Sequence, residues 1–195
     1  MNTDLINELN YLSAEDAAYR LIGCEIVRVV NGVNLVGRIV ETEAYDQSDA
    51  SSHSYRGVTK RNSAMFGPAG HLYVYFTYGM HYCMNIVIGS EDNGSAVLIR
   101  AIEPLKGIDK MQINRGTDNI KQLTNGPAKL TQALNINLSF NGHDLRKQPL
   151  TLIMNQPVGK ELVRWTPRIG IREDMDKVKL WRVALMGNPY ISRRE

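Results

Sequence analysis

Residues 24–44 read CEIVRVVNGVNLVGRIVETEA, two runs rich in Val and Ile on either side of Asn31-Gly32. Val and Ile fit the pleated surface of a strand. Asn-Gly supplies the two positive φ angles of a type I′ turn, whose twist matches that of two paired strands. The stretch therefore predicts a β-hairpin with strands at 24–30 and 33–44, the strongest hairpin signal in the chain.

Further elements are predicted on both sides of this hairpin. Ser13 and Asp16 fit a capping box, and apolar residues then recur at helical spacing up to Ile22, which predicts a helix. A second hairpin is predicted around Tyr78-Gly79-Met80, between an aromatic run and an apolar run. The remaining predictions are strands at 96–102, 149–154 and 181–186, a helix at 127–134 and a long loop at 46–70.

These elements predict an α+β fold. Short strands joined by hairpins, with only a few helices, are typical of a mixed α/β domain with a largely antiparallel sheet. A chain of 195 residues favours one domain, which we place at residues 1–195. At this length a chain hides about 70% of its unfolded surface, so the core needs no disulfide or metal.

Composition excludes several classes of protein. Hydrophobic residues make up 43% and charged residues 22% of the chain, close to average globular usage, which argues against disorder and collagen. Two cysteines cannot form a disulfide framework, and four histidines without C-x-x-C give no zinc pattern. The longest apolar run is too short for a transmembrane helix, and no signal peptide is visible. We therefore expect an intracellular protein with no membrane contact and no structural metal.

Charge is distributed unevenly along the chain. The net charge is +3, but residues 160–195 hold nine Lys or Arg against five Asp or Glu. A basic segment of this kind can face a polyanion such as nucleic acid. A solvated basic edge is an equally good interpretation of the charge alone.

One strand end carries a group of polar residues that could do chemistry. The common phosphate-loop, dinucleotide, serine-hydrolase, zinc-protease and deaminase signatures are absent from the sequence. Alternation along the predicted strand instead places Glu41, Glu43 and Tyr45 on one face. A carboxylate at a strand end, beside a tyrosine and a long loop, fits a general base. A solvated strand edge is the alternative interpretation.

The second hairpin carries tyrosines with two possible roles. Tyr73 and Tyr75 share one strand face, which fits either half-buried packing or a wall on which a flat ring stacks. Tyr78 falls at the hairpin tip beside Gly79, where burial is difficult. An exposed aromatic on a rigid hairpin resembles the side chains that enter the minor groove of DNA and unstack a base step.

Short motifs at these residues occur in a characteristic order. They are Glu41–Tyr45, His53-Ser54, Thr59, Arg61-Asn62, Met65-Phe66, Tyr73–Tyr75, Tyr78–Met80, Cys83–Asn85, Arg100–Pro104, Asn125–Leu130 and Arg168–Ile171. In order and spacing they closely resemble the alkyladenine (3-methyladenine) DNA glycosylases. The resemblance extends from about residue 4 to residue 192.

The resemblance implies a fold and an activity. The fold is a single compact mixed α/β domain with a protruding β-hairpin that inserts into DNA. The activity is hydrolysis of the N-glycosidic bond of damaged purines in double-stranded DNA, namely 3-methyladenine, 7-methylguanine, hypoxanthine and ethenoadenine. It leaves an abasic site without a lyase step and uses no metal or organic cofactor. We expect a monomer that resides with DNA, in the cytoplasm and nucleoid of a bacterium or the nucleus of a eukaryote.

The resemblance also assigns the catalytic roles. Glu43 would activate the attacking water. Arg100 and the backbone carbonyl of Ile169 would help to hold that water. An ionised Glu43 would also stabilise a transition state that resembles an oxocarbenium ion.

A second group of residues would bind the damaged base. Tyr45 and Tyr75 would sandwich the base after it has left the duplex, and His53 would hydrogen bond to its edge. Asn85 would crowd the exocyclic amine of a normal guanine and so help to reject it. Stacking between aromatic rings suits many purines, because every base has a π-face.

The hairpin tip would contact the DNA itself. Tyr78 would fill the gap that the flipped base leaves, and Met80 and His81 would lie against the neighbouring nucleotides. His81 departs from the family pattern, which has an aromatic residue near the tip.

Two other functions are compatible with parts of this pattern. A non-catalytic module could bind distorted DNA or RNA with the same exposed tyrosine, but it would not need Glu43 and Arg100. An enzyme acting on free nucleosides would not need Tyr78 or the basic segment.

Overall fold

The computed structural model describes residues 3–171 and 178–192, and the eight described strands belong to one antiparallel sheet. The strands are β1 (Glu25–Val30), β2 (Val33–Tyr45), β3 (Leu72–Thr77), β4 (His81–Ile88), β5 (Ser95–Lys106), β6 (Leu150–Ile153), β7 (Val163–Thr166) and β8 (Arg182–Leu185). The α-helices are α1 (Thr3–Ile6), α2 (Ala14–Arg20), α3 (Ile108–Arg115) and α4 (Pro127–Ala133). Short 3-10 helices lie at Asn7–Asn10, Ser63–Phe66, Ile120–Gln122, Leu138–Phe140 and Lys160–Leu162.

Strand β2 is the centre of this sheet. The hairpin predicted at Asn31-Gly32 is confirmed, with φ of 50° and 80° at these two residues and β1 paired to the first half of β2. The strand order is β3-β4-β5-β2-β1-β6, and β8 pairs with β2 beyond the end of β1. Because every described strand pairing is antiparallel, the predicted α+β class with a largely antiparallel sheet is confirmed.

Helix α2 packs on the half of β2 that carries the acidic residues. The predicted cap is present, since the Ser13 hydroxyl accepts a hydrogen bond from the Asp16 N–H at 3.1 Å. The buried alanines of α2 face the core beneath the sheet. The Thr42 hydroxyl donates to the Ala18 carbonyl at 2.8 Å, in the last turn of the helix, where carbonyls lack helical partners. This hydrogen bond joins α2 to β2 between the two glutamates.

The second hairpin is confirmed and ends in a three-residue turn. Strands β3 and β4 pair up to Thr77 and His81, which leaves Tyr78, Gly79 and Met80 as the turn. Tyr78 and Gly79 both have positive φ, 51° and 69°. Tyr78 is 87% exposed and Met80 is 71% exposed, so the tip projects from the body of the protein.

Other parts of the fold differ from the sequence prediction in extent or were not predicted. Helix α3 buries only Met111 and therefore has no apolar periodicity to detect. Strand β7 is four residues long, and β5 continues four residues past its predicted end. The predicted long loop at 46–70 has no strand and only the 3-10 helix Ser63–Phe66. Both cysteines are free and buried.

Replacing Thr42 tests the link between α2 and β2. Thr42→Val keeps the shape of the side chain but leaves the buried Ala18 carbonyl without its partner. We expect the free energy of unfolding to fall by about 1–3 kcal/mol in urea titrations, with an unchanged m-value. Thr151→Val, on the half-buried face of β6, is the matched control and should cost less. Equal losses for the two variants would contradict a specific role for this hydrogen bond.

Candidate active site

Glu41 and Glu43 lie on β2 with both side chains shielded from solvent. Each is 0% exposed. Strand β5 pairs with this part of β2 on one side and β8 pairs with it on the other. The interpretation of these residues as a solvated strand edge is therefore wrong, because the strand has no free edge here. Tyr45 shares their face, as alternation predicts, and its hydroxyl donates to Glu43 Oε2 at 3.0 Å.

Glu43 faces a cavity of about 300 Å³. The predicted site residues that line it are Glu43, Tyr45, His53, Tyr75, Tyr78, Asn85, Arg100 and Ile169. A cavity of about 420 Å³ beside β7 and β8 has no Asp or Glu among its described lining residues. The cavity at Glu43 therefore combines a buried carboxylate with room for a ligand.

Three donors hold the carboxylate of Glu43. Oε1 lies 3.2 Å from Arg100 Nη1 and accepts the Ile169 N–H at 2.7 Å, while Oε2 accepts the Tyr45 hydroxyl. Burial raises the pKa of Glu43 above its ordinary value, and the opposing effects of Arg100 and the Ile169 N–H do not fully offset it. The carboxylate is thus fixed in orientation and more basic than an exposed glutamate. The predicted role of the Ile169 carbonyl stays a prediction.

Arg100 lies between the two glutamates. Its Nε is 3.0 Å from Glu41 Oε1, on the side of the guanidinium away from Glu43. Burial acts to lower the pKa of Arg100, but the charges of Glu43 and Glu41 outweigh burial and raise it. The structure thus places Arg100 beside Glu43, while its catalytic role and its effect on water stay predictions.

Aromatic rings form further walls of the cavity. Tyr75 packs against Tyr73 at a centroid distance of 5.4 Å and against the edge of His53 at 4.6 Å. His53 Nδ1 lies 2.9 Å from the Tyr73 hydroxyl, which fixes the orientation of the imidazole ring. Partial burial and the nearby Arg61 lower the pKa of His53, so the ring is neutral at pH 7. Burial raises the pKa of Tyr73 to about 12, so its hydroxyl remains protonated.

Asn85 occupies a buried position on β4 at the cavity wall. It is 5% exposed, and its Nδ2 donates to the Tyr73 carbonyl at 3.0 Å. One of its two amide N–H groups is therefore committed to the neighbouring strand. The side chain is held in one place, which a residue that excludes a ligand by size requires.

The three predicted hairpin residues do not all reach this cavity. Tyr78 lies at its rim. Met80 and His81 line a separate cavity, together with residues of α4 and the segment after it. The structure thus places Tyr78 with Glu43 and the other two residues on another side of the hairpin.

A comparison with protein families identifies the family of the chain. Residues 8–189 match the model of the family described as Methylpurine-DNA glycosylase (MPG). The chain belongs to this family. The match covers every residue that lines the cavity at Glu43.

Relatives in three organisms support the assignment of this glycosylase. A protein of Carboxydothermus hydrogenoformans is 51% identical over 89% of this chain and 91% of its own length. A protein of Methanoculleus marisnigri is 50% identical over 89% of this chain and 91% of its own length. A protein of Francisella tularensis is 45% identical over 94% of this chain and 95% of its own length. All three carry the name "Putative 3-methyladenine DNA glycosylase".

The predicted resemblance to alkyladenine DNA glycosylases is therefore confirmed. The protein is a DNA glycosylase of a family that repairs alkylated bases, and DNA is its substrate. No helix among the described residues is long and apolar enough to cross a membrane. Among these residues, no group of three His, Cys, Asp or Glu side chains is placed to hold a metal ion.

The basic segment of the glycosylase contributes to its interior as well as to its surface. Arg168 and Arg182 are 4% and 3% exposed, and each pairs with a buried carboxylate, Asp49 and Glu41 respectively. The interpretation of this segment as a uniformly solvated or DNA-facing edge is therefore wrong for these two residues. Residues 172–177 and 193–195, which carry other charges of the segment, lie outside the described residues.

The sequence analysis assigned no role to several residues that support the site. Arg168 lies over the Tyr45 ring at 4.7 Å and donates to the Ala44 carbonyl at 2.9 Å, so it supports the wall that Tyr45 forms. Asp49, in the long loop, accepts a hydrogen bond from the same nitrogen, Nη1, and anchors this arginine. An arginine inside a run of apolar strand residues, as in residues 181–186, is the one signal that could have indicated Arg182.

Neutralising Asp49 tests this anchor. Asp49→Asn leaves the buried Arg168 charge without its counterion, and we expect the free energy of unfolding at pH 7 to fall by about 3–5 kcal/mol. Asp46→Asn is the control in the same loop: its carboxylate accepts hydrogen bonds from Ser48 and Ser95, and its loss should cost about 1 kcal/mol.

The pH dependence of stability gives a second measurement on the same variant. Burial acts to raise the pKa of Asp49, but the hydrogen bonds from Arg168 and Ser51 outweigh burial and lower it. The stabilisation is therefore present above about pH 4 and is lost as pH falls below that value. The difference in the free energy of unfolding between the wild type and Asp49→Asn should therefore become smaller in acid. A difference that is the same at all pH values would contradict the ion pair as its cause.

Proposed function

We propose that this glycosylase removes alkylated or deaminated purines from double-stranded DNA by hydrolysis and leaves an abasic site. The substrates would be 3-methyladenine, 7-methylguanine, hypoxanthine and ethenoadenine. The proposed enzyme is monofunctional, acts as a monomer and uses no cofactor. The observation that carries the proposal is the solvent-shielded Glu43 carboxylate at the wall of a cavity with aromatic sides.

The damaged base would leave the duplex and enter the cavity at Glu43. Tyr45 and Tyr75 would stack on its two faces, and a positively charged alkylated ring would also be attracted to the negative faces of both tyrosines. His53, held by Tyr73 and neutral, would hydrogen bond to the edge of the base. A damaged or mispaired base costs less to extrude than a normal one, so selection begins before the chemistry.

Hydrolysis would take place on the sugar side of the base. A water held by Glu43, Arg100 and the carbonyl of Ile169 would attack the anomeric carbon, and Glu43 would take its proton. The bond between this carbon and the ring nitrogen breaks, and the electron pair leaves with the base. A carboxylate is an effective base only when ionised, and it then also stabilises the positive charge that develops on the sugar.

Asn85 would supply discrimination against guanine. Its side chain is buried and held by the Tyr73 carbonyl, so it cannot move aside at low cost. A guanine amino group directed at Asn85 would meet a fixed amide. Such a steric difference is worth about 1–3 kcal/mol, a modest preference that the better leaving ability of alkylated bases would reinforce.

The exposed hairpin tip would hold the DNA open. Tyr78 would enter the duplex, fill the space of the extruded base and keep the neighbouring bases apart, and its exposure at the tip supports this role. Met80 and His81 would contact nucleotides on the other side of the hairpin. The contacts of Met80 and His81 would lie outside the cavity at Glu43, and they would favour binding to distorted DNA without affecting the chemical step.

Glu43→Gln tests the catalytic assignment. The amide keeps the size of the side chain but cannot accept a proton, so we expect single-turnover excision to fall by about 10²–10⁴-fold, with binding of lesion DNA within a few fold of wild type. The assay uses duplexes with one lesion each, and strand breaks should appear only after heating in alkali. Breaks without alkali would contradict a monofunctional enzyme. DNA binding with no excision by the wild type would favour a non-catalytic binding module.

The pH dependence of the excision rate of the wild type tests the role of Glu43 as a base. Because the pKa of Glu43 is raised, the ionised base is lost at a higher pH than for an ordinary glutamate. The excision rate should therefore fall with decreasing pH below that raised pKa and level off above it. A rate that increases as Glu43 becomes protonated would contradict its role as a base.

Tyr78→Ala tests the hairpin. Tyr78 neutralises no phosphate, so its removal should weaken binding to an abasic-analogue duplex by about 1–3 kcal/mol and leave the salt dependence of binding unchanged. Binding to undamaged DNA should barely change. Tyr11→Ala is the matched control, since Tyr11 is 88% exposed and lies before α2. An equal loss on damaged and undamaged duplexes would contradict a specific role in filling the gap.

A further inference from the structure

Glu41 is a buried carboxylate for which the proposed reaction has no use. It does not line the cavity at Glu43, so it does not touch the substrate. Nonetheless it is 0% exposed and collects four donors. Its Oε1 lies 3.0 Å from Arg100 Nε, 2.7 Å from Arg182 Nε and 2.7 Å from the Ser192 hydroxyl. Its Oε2 accepts the Ser192 N–H at 2.5 Å.

These contacts fix the guanidinium of Arg100 along two of its three nitrogens. Glu41 binds Nε, and the Ser192 hydroxyl lies 3.3 Å from Nη2. Because a guanidinium is planar and rigid, fixing Nε and Nη2 also fixes the direction of Nη1. Nη1 is the nitrogen that faces Glu43, at 3.2 Å.

Arg182 holds Glu41, and Thr166 holds Arg182. Arg182 extends from β8, next to Glu43 in the strand register, and its Nη1 donates to the Thr166 hydroxyl at 3.0 Å. The cluster therefore contains two carboxylates and two guanidinium groups and is neutral when both glutamates are ionised. Burial acts to raise the pKa of Glu41, but Arg100, the Ser192 N–H and Arg182 outweigh burial and lower it. Glu41 is thus ionised at neutral pH.

We propose that Glu41 and Ser192 are positioning residues for the glycosylase reaction, which aim Arg100 Nη1 at Glu43. Glu41 would also hold Arg182 and balance the positive charge beside the catalytic carboxylate. This inference rests on the proposed role of Glu43. It assigns a role in catalysis to Ser192, at the end of the described chain, although Ser192 lies behind the site and does not line the cavity.

The inference is tested by single-turnover excision as a function of pH. The groups that face Glu43 are Arg100 from β5, Glu41 and Tyr45 from β2, and, at longer range, Tyr75 from β3 and Cys83 from β4. Glu41→Gln removes the negative charge among them, which leaves the positive charge of Arg100 to act on Glu43. We expect the acid limb of the profile to move to lower pH, since the charge of Glu41 raises the pKa of Glu43.

The same variant should lower the plateau of the profile. Without Glu41, Arg100 stays beside Glu43 but the direction of its Nη1 is no longer fixed, and a misplacement of about 1 Å costs about 10²-fold in rate. Binding to an abasic-analogue duplex should stay within a few fold of wild type. A variant that folds, with a wild-type plateau and acid limb and only a lower melting temperature, would overturn the proposal.

Ser192→Ala carries the test in the event that Glu41→Gln does not fold. It changes no charge and removes the hydroxyl that bridges Arg100 and Glu41. We expect the excision rate at the plateau to fall several-fold and the acid limb to stay at its wild-type pH. A plateau rate equal to that of the wild type would overturn the role of Ser192. Glu103→Gln is the matched control, because it breaks the Arg38–Glu103 pair between the same two strands without contact to Arg100. Glu103→Gln should give the same plateau rate of excision and the same acid limb as the wild type.

These outcomes separate the inference from the proposed function. If the wild type excises lesions and Glu43→Gln does not, while Glu41→Gln and Ser192→Ala behave like wild type, only the present inference fails. If Glu43→Gln excises at the wild-type rate, the proposed mechanism fails and takes the inference with it.

Discussion

The burial of two negative charges beside each other on one strand is the constraint on which the rest of the structure depends. Isolated carboxylates in a protein interior are costly, and a like-charged neighbour adds to the cost. Glu41 and Glu43 are tolerated because Arg100 and Arg182 reach them from the strands on both sides of β2. Because β5 and β8 pair with the same part of β2, they bring the two arginines to the same place.

The two glutamates have similar neighbours but opposite shifts in pKa. Glu41, with four donors, is held ionised, whereas burial dominates at Glu43 and raises its pKa. Pairs of carboxyl groups whose environments separate their pKa values are common where one group must titrate and the other must not. Here the difference arises from position: Glu43 gives up one side of its environment to the cavity, and Glu41 has protein donors on all sides.

Local signals predicted the parts of the fold that short-range chemistry determines. Asn31-Gly32 dictates a type I′ turn and the capping at Ser13 starts a helix, so both could be predicted from neighbours in sequence. The family motifs then located the residues around the cavity. Helix α3 and the ion pair of Arg182 with Glu41 could not be predicted in this way. The first has almost no apolar face, and the second joins residues 141 positions apart, where only the folded sheet brings them together.

The left-handed backbone at the hairpin tip limits which side chains can occupy it. Tyr78 has a φ of 51°, a conformation in which β-branched residues are strained because of the atoms on Cβ. Isoleucine serves as a wedge in other proteins that bend DNA, yet at this turn it would destabilise the hairpin that carries it. Exchange at this position is thus limited by turn geometry, before any contact that the proposed insertion into DNA would require. Aromatic or unbranched side chains, and those such as Asn and His that accept a left-handed turn, are the residues open to variation here.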